Sequence, residues 1–228
     1  MAINLPSEYQ RVEYIESSGT QYIDTGLDLG SNDFEIKVKF LNTQTTAQEQ
    51  AIFSIWTSNY NYWNCFIHSN RKIDVYLSTH VYGSEVSIDT IYELSLKRVS
   101  NLWTLKLGED SVGHTYIPNQ PNPTTLKLFT RGDIPTIGNS NTYIKMFRCS
   151  VVVGGTLVRD FIPCYRKSDN EIGMYDLVND VFYTNQGSGT FTKGRNLYPN
   201  RIGKVYKGTT EIKDYYQGST KIMDIYKA

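Results

Sequence analysis

The chain has few of the features on which most functional readings rest. Helical signals are almost absent: no stretch of about twelve residues carries an apolar stripe at i, i+3, i+4, i+7. No apolar run approaches transmembrane length, so no membrane insertion is expected. The start, Met1-Ala2-Ile3-Asn4-Leu5-Pro6, has neither a basic nor an apolar leader region, so no signal peptide is expected. Net charge is zero, with 23 basic and 23 acidic residues, which removes the electrostatic argument for nucleic acid. Three cysteines, Cys65, Cys149 and Cys164, are too few and too widely spaced for a disulfide framework, and reduced, buried or half-buried thiols are expected.

Catalytic and metal motifs are also missing. His68, His80 and His114 stand far apart, and none forms H-x-x-x-H or joins a cysteine pair at metal spacing. There is no G-x-S-x-G elbow, no Walker loop and no full dinucleotide fingerprint around Gly187-Ser188-Gly189. Asp24, Asp28, Asp33, Asp133, Asp169 and Asp176 are scattered, with no D-x-D-x-D series for calcium. Arg131-Gly132-Asp133 reads as a tight turn. The expectation is no catalytic residue, no metal and no cofactor, with a structural calcium left open.

What the chain has is tyrosine, 18 of them, with aromatics at 13% and abundant Thr, Ser and Asn. Tyr and Thr suit pleated, half-buried surfaces, and Asn, Ser and Gly suit the turns between them. Alternation with period two recurs. Phe34, Ile36, Val38 and Phe40 alternate with Glu35, Lys37 and Lys39, a strand with one wet face. Tyr92, Leu94 and Leu96 repeat the pattern, as does the segment 102–107. Further short strands are predicted near 12–16, 20–25, 51–56, 62–68, 72–78, 125–130, 142–153, 156–162 and 172–184. Gly154-Gly155 between Val153 and Thr156 predicts a type I′ hairpin, whose two central residues need positive φ. The prolines of 117–123 exclude that segment from a sheet interior. A dozen short strands with frequent turns predict an all-β sandwich or jelly roll.

The last residues carry a ten-residue repeat, Val205-Tyr206-Lys207-Gly208-Thr209-Thr210-Glu211-Ile212-Lys213-Asp214 and then Tyr215-Tyr216-Gln217-Gly218-Ser219-Thr220-Lys221-Ile222-Met223-Asp224. Gly208-Thr209 and Gly218-Ser219 fit two-residue type II′ loops. This predicts a three-stranded meander over 202–207, 210–217 and 220–227, with Val205 facing Ile212 and Lys213 facing Asp224. A meander this small is barely stable alone. It is expected to dock through Tyr206, Ile212, Tyr216, Ile222 and Tyr226 on its own sandwich or another chain.

Two segments carry a family resemblance. One is Leu5-Pro6-Ser7-Glu8-Tyr9 with Val12-Glu13-Tyr14-Ile15-Glu16-Ser17-Ser18-Gly19-Thr20-Gln21-Tyr22-Ile23-Asp24-Thr25-Gly26. The other is Arg159-Asp160-Phe161-Ile162-Pro163-Cys164-Tyr165-Arg166, with Gly173-Met174-Tyr175-Asp176, Phe182-Tyr183-Thr184-Asn185 and Gly187, Gly189 and Gly194. Together they resemble the laminin-G or concanavalin A-like sandwich modules of bacteriophage and prophage virion proteins. The resemblance implies a concanavalin A-like jelly roll over residues 1–194, whose first and last strands pair in one sheet, followed by the repeat element at 195–228. It also implies a non-catalytic virion accessory protein of tail, fibre or capsid, assembled in the bacterial cytoplasm and released by lysis. Its partners would be other virion proteins, copies of itself and a host-surface glycan. The alternatives are a carbohydrate-binding module of a bacterial surface protein and, third, a glycoside hydrolase. Against the last, the E-x-D-x-(x)-E strand pattern of laminarinase-type enzymes is absent. The candidate glycan site is Trp56, Asn59, Tyr60, Tyr62 and Trp63, since aromatic faces stack on sugar C–H surfaces and amides orient hydroxyls. The rival reading is that Trp56 and Trp63 are core residues at strand ends.

Overall fold

A computed structural model describes residues 5–46, 48–55, 63–117, 124–131 and 142–197, with the backbone of four short strands between 205 and 224. The chain divides into a large unit, Asn4–Leu197, and a small one that holds Tyr198–Ala228. Among the described residues no helix is long and apolar enough to cross a membrane.

The large unit contains β1 (Tyr9–Arg11), β2 (Ile15–Glu16), β3 (Ile23–Asp28), β4 (Phe34–Asn42), β5 (Gln50–Ile55), β6 (Trp63–Ile67), β7 (Lys72–Tyr76), β8 (His80–Glu85) and β9 (Ile91–Val99). It continues with β10 (Leu102–Leu107), β11 (Asp110–Thr115), β12 (Thr125–Leu128), β13 (Ile144–Val153), β14 (Thr156–Arg166), β15 (Ile172–Asp176), β16 (Val181–Thr184) and β17 (Thr192–Lys193). These form two sheets. An eleven-stranded sheet runs β11-β10-β9-β4-β13-β14-β15-β16, with β1 on β14 and β2 between β13 and β17. A six-stranded sheet runs β3-β12-β5-β6-β7-β8. All of these strand pairs are antiparallel. The expected all-β, concanavalin A-like sandwich is what the chain forms.

Alternation builds the core. Ile36, Val38 and Phe40 of β4, Leu94 and Leu96 of β9, and Cys149 and Val151 of β13 are all buried. They join Ile52, Cys65, Ile73, Val75, Leu126 and Leu128 of the six-stranded sheet in one apolar cluster. Glu35, Lys37 and Lys39 point the other way and carry surface ion pairs, Lys37 with Glu35 and Lys39 with Glu93. Gly154 and Gly155 close the β13–β14 hairpin at φ +56° and +82°, as the type I′ turn requires. The three cysteines are buried and free.

The two segments of the family resemblance lie against each other. Tyr9↔Arg166 and Arg11↔Cys164 pair β1 with β14, and Glu16↔Thr192 pairs β2 with β17. Between them, Tyr22 N–H donates to Asn185 Oδ1 at 3.1 Å and Thr20 Oγ1 donates to the Ser188 carbonyl at 2.8 Å. The glycines are there for close approach: a Cβ on Gly187 would stand 2.0 Å from the Thr20 carbonyl oxygen, and one on Gly194 would stand 2.8 Å from the Tyr14 ring.

Some sequence expectations are corrected. The segment 172–184 is two strands, because residues 177–180 turn back, with Asp180 at φ +56° and its N–H on the Asp176 carbonyl. β8 and β11 were not foreseen. In the small unit, β18 (Val205–Lys207) pairs β19 (Thr210–Ile212), and β20 (Asp214–Gln217) pairs β21 (Thr220–Asp224). Val205 does face Ile212, but Asp224 faces Asp214, because a register shift falls between Tyr215 and Tyr216. Lys213 and the prolines of 118–123 lie outside the described residues.

Candidate functional site

The six-stranded sheet has a second face, set by the same alternation that fills the core. Strand pairing aligns one residue per strand across all six: Asp24↔Lys127↔Ser54↔Asn64↔Tyr76↔His80. A neighbouring row runs Ala51↔Phe66↔Asp74↔Tyr82. Every member of the first row is polar or amphipathic. Its ends reach solvent, with side-chain exposure of 41% at His80 and 36% at Asp24, while Ser54 and Asn64 in the middle are fully buried.

The middle of the row is under-satisfied. Among the described residues, Ser54 Oγ and both amide atoms of Asn64 have no hydrogen-bond partner. Each such group forfeits its water contacts at about 1–3 kcal/mol without compensation. At one end, Lys127 Nζ bonds Thr125 Oγ1 at 3.1 Å and lies 3.3 Å from Asp24 Oδ2. Partial burial disfavours the Asp24 carboxylate, but the Thr125 and Gly26 hydrogen bonds and the Lys127 charge hold it below its ordinary pKa.

At the other end is an aromatic and imidazole cluster. The His80 ring stacks on Tyr82, 5.5 Å between centroids and 6° between planes, and meets Tyr76 edge-on at 5.0 Å. His68, at the β6–β7 turn, leans in until its ring is 5.4 Å from His80 and 5.3 Å from Tyr82. Beneath them Asp74 is fully buried. Its Oδ2 hydrogen-bonds His80 Nδ1 at 2.6 Å and its Oδ1 accepts the Val81 N–H at 3.2 Å. Burial pushes the Asp74 carboxyl above its ordinary pKa, with the His80 hydrogen bond and the two imidazoles acting against it. Glu49 lies 3.9 Å from His68 and is ion-paired with Arg131, whose guanidinium covers Phe66.

The sequence-based site fares differently. Trp63 is in the core, 8% exposed, stacked on Phe34 and edge-on to Trp103 and Phe53, so it presents no face to a ligand. Trp56, Asn59, Tyr60 and Tyr62 lie outside the described residues. Of the docking set, Tyr206, Ile212, Tyr216 and Ile222 fall on β18 to β21, and Tyr226 lies outside the described residues. Of the scattered aspartates, Asp28 accepts the Gly30 N–H, Asp33 the Ser100 N–H, Asp169 pairs with Arg166 and Asp176 accepts the Asp160 and Val178 N–H groups, while Asp133 lies outside the described residues. The missed residues are His68, Asp74 and His80, which folding brings together. Their one sequence signal was parity: Asp74 and Tyr76, then His80 and Tyr82, occupy alternate positions.

No protein-family model and no curated protein matches the chain. Solved structures do resemble it. A "putative carbohydrate binding protein" from Bacteroides ovatus aligns with TM-score 0.54 and 10% identity, over 83% of this chain and 62% of that one. The sialidase of Trypanosoma rangeli gives TM-score 0.44 and 8% identity, over 53% of this chain and 20% of that one. A family 7 alginate lyase, A1-II′, gives 0.43 and 10%, over 57% and 67%. The chain thus spans about a fifth of the sialidase and under two thirds of the Bacteroides protein. At these identities the fold is what is shared. The Bacteroides protein is described as carbohydrate binding and not as a virion component, and the virion accessory reading is corrected on that finding.

Proposed function

We propose that the large unit is a non-catalytic carbohydrate-binding module, and that it binds through the second face of the six-stranded sheet. The observation that carries this reading is the solvent-facing His80–Tyr82 stack, with Tyr82 40% exposed at the edge of a row of polar side chains. Such a stack offers flat rings for sugar C–H faces beside a few oriented polar groups. The ligand lies on the exposed His80 end of the row.

The test is a glycan array followed by titration calorimetry on the best hit. Tyr82→Ala is expected to lower affinity at least about tenfold. Ser54→Ala is expected to raise stability by about 1 kcal/mol, because it deletes an unpaired buried hydroxyl, and to leave affinity unchanged. Lys39→Ala, on the outer face of the other sheet, is the control and keeps full affinity. Glycans should be recovered uncut. Binding that survives Tyr82→Ala, or cleavage of the bound glycan, overturns the proposal.

A further inference from the structure

We propose that His68, Asp74 and His80 form a binding site for a divalent first-row transition ion, zinc above all. One potential ligand atom from each residue lies within 4.8 Å of the other two. Around zinc, imidazole nitrogens and carboxylate oxygens sit about 2.0–2.2 Å from the metal, which places donors in a tetrahedral shell roughly 3.4 Å apart. The observed spacing brackets that value, from 2.6 Å between His80 Nδ1 and Asp74 Oδ2 up to the 4.8 Å limit. Small rotations of two partly exposed rings close the difference. The imidazole planes cross at 81°, so the rings do not stack and can turn their nitrogens to one point.

The surroundings favour an ion over the bare pair. Asp74 is a fully buried carboxylate on an otherwise uncharged row, and a buried charge needs full compensation. One partly exposed imidazole hydrogen-bonds it, whereas a dication bound to all three supplies the missing positive charge. The ligands are also braced. Val81 N–H fixes the second carboxylate oxygen, Tyr76 and Tyr82 fix the His80 ring, and Ser69 Oγ and Asn70 N–H lie 3.3 Å from His68 Nδ1, leaving Nε2 for the metal. Such outer contacts are what orient ligands in metal sites. Two imidazoles with one carboxylate suit zinc, nickel or copper, whereas calcium wants six to eight oxygens. The site lies on the face proposed for sugar, but it requires no sugar.

The experiment titrates the full chain, stripped with EDTA, with zinc chloride by calorimetry in the absence of glycan. One ion per chain is expected, with no response to calcium chloride. Asp74→Asn and His80→Ala should each weaken binding at least about tenfold, and His114→Ala, on β11, should leave it unchanged. Should a variant fail to fold, long-range proton–nitrogen spectra of the wild-type imidazoles decide: zinc must shift the ring nitrogens of His68 and His80 and spare His114. Absence of binding, binding indifferent to His80→Ala, or shifts confined to His114 overturns the proposal. Loss of zinc binding with intact glycan binding leaves the carbohydrate reading standing, and the reverse holds equally.

Discussion

Ser54, Asn64 and Asp74 are fully buried polar side chains within a few strands of one another. A fold selected for stability alone would have filled those positions with apolar groups, since each unpaired atom opposes folding. The cysteines illustrate the contrary case, polar groups buried in their neutral form. Burial pushes the Cys164 thiol up to about 12 and also raises those of Cys65 and Cys149. In the unfolded chain a thiol ionises near pH 9. Between that value and its folded pKa the native state therefore holds a proton that the unfolded state has lost. Stability must then fall as pH rises, by about 1.4 kcal/mol per pH unit for each thiol. Urea denaturation of wild type and Cys149→Ala between pH 9.5 and 11.5 checks this. The variant is less stable at neutral pH because of its cavity, but its alkaline slope should be shallower by that amount. Equal slopes would show that the thiol makes no such contribution.

The strands differ in how openly they declare themselves. β4 is legible because four of its residues feed the core in strict alternation with charged neighbours, and the Gly154-Gly155 turn is legible because its geometry admits few other residues. β8 is not, because Val81 is its one buried apolar residue and Gly83 sits where a Cβ would meet Ile73 at 2.6 Å. That strand carries His80 and Tyr82, so the site was hidden along with it. The turn between β15 and β16 was hidden by two exposed valines, Val178 and Val181, which look like strand in sequence. In the aromatic segment, composition shows rings but not parity: Trp63 points into the core and Asn64, one residue on, points to the opposite face. The same reasoning ranks glycines. Gly155 has open space around the Cβ position, so Gly155→Ala costs only its positive φ, about 1–2 kcal/mol. Gly187→Ala drives a methyl into the Thr20 backbone and must separate the segments that Thr20 and Ser188 join, so its loss should be the larger. Chemical denaturation midpoints of the two variants decide the order.

At the level of the molecule, the apolar cluster of the described residues runs from Val12 to Phe191, so the large unit possesses its own core. A chain ending at Leu197 is expected to melt within a few degrees of the intact protein and to bind the same ligands. If the repeat element docks against further copies, the truncation should also have a smaller assembled mass by sedimentation. An unchanged mass would remove assembly from the roles of that element. The two-layer architecture was readable from alternation and turn chemistry, because both act locally. The row that crosses six strands was not, since its neighbours come from β3 at one end of the sheet and β8 at the other, joined through β12. Only pairing register creates it.

The interlocking of β1 with β14 and of β2 with β17 also sets a timetable for biosynthesis. β1 and β2 leave the ribosome well before the strands they pair with. At ordinary elongation rates of about 5–20 residues per second, the Tyr9 and Ile15 segments wait on the order of 10–40 s for their partners. During that interval the nascent sandwich has an open edge, so the cell must keep the emerging chain from pairing with its neighbours until residues near 192–197 arrive.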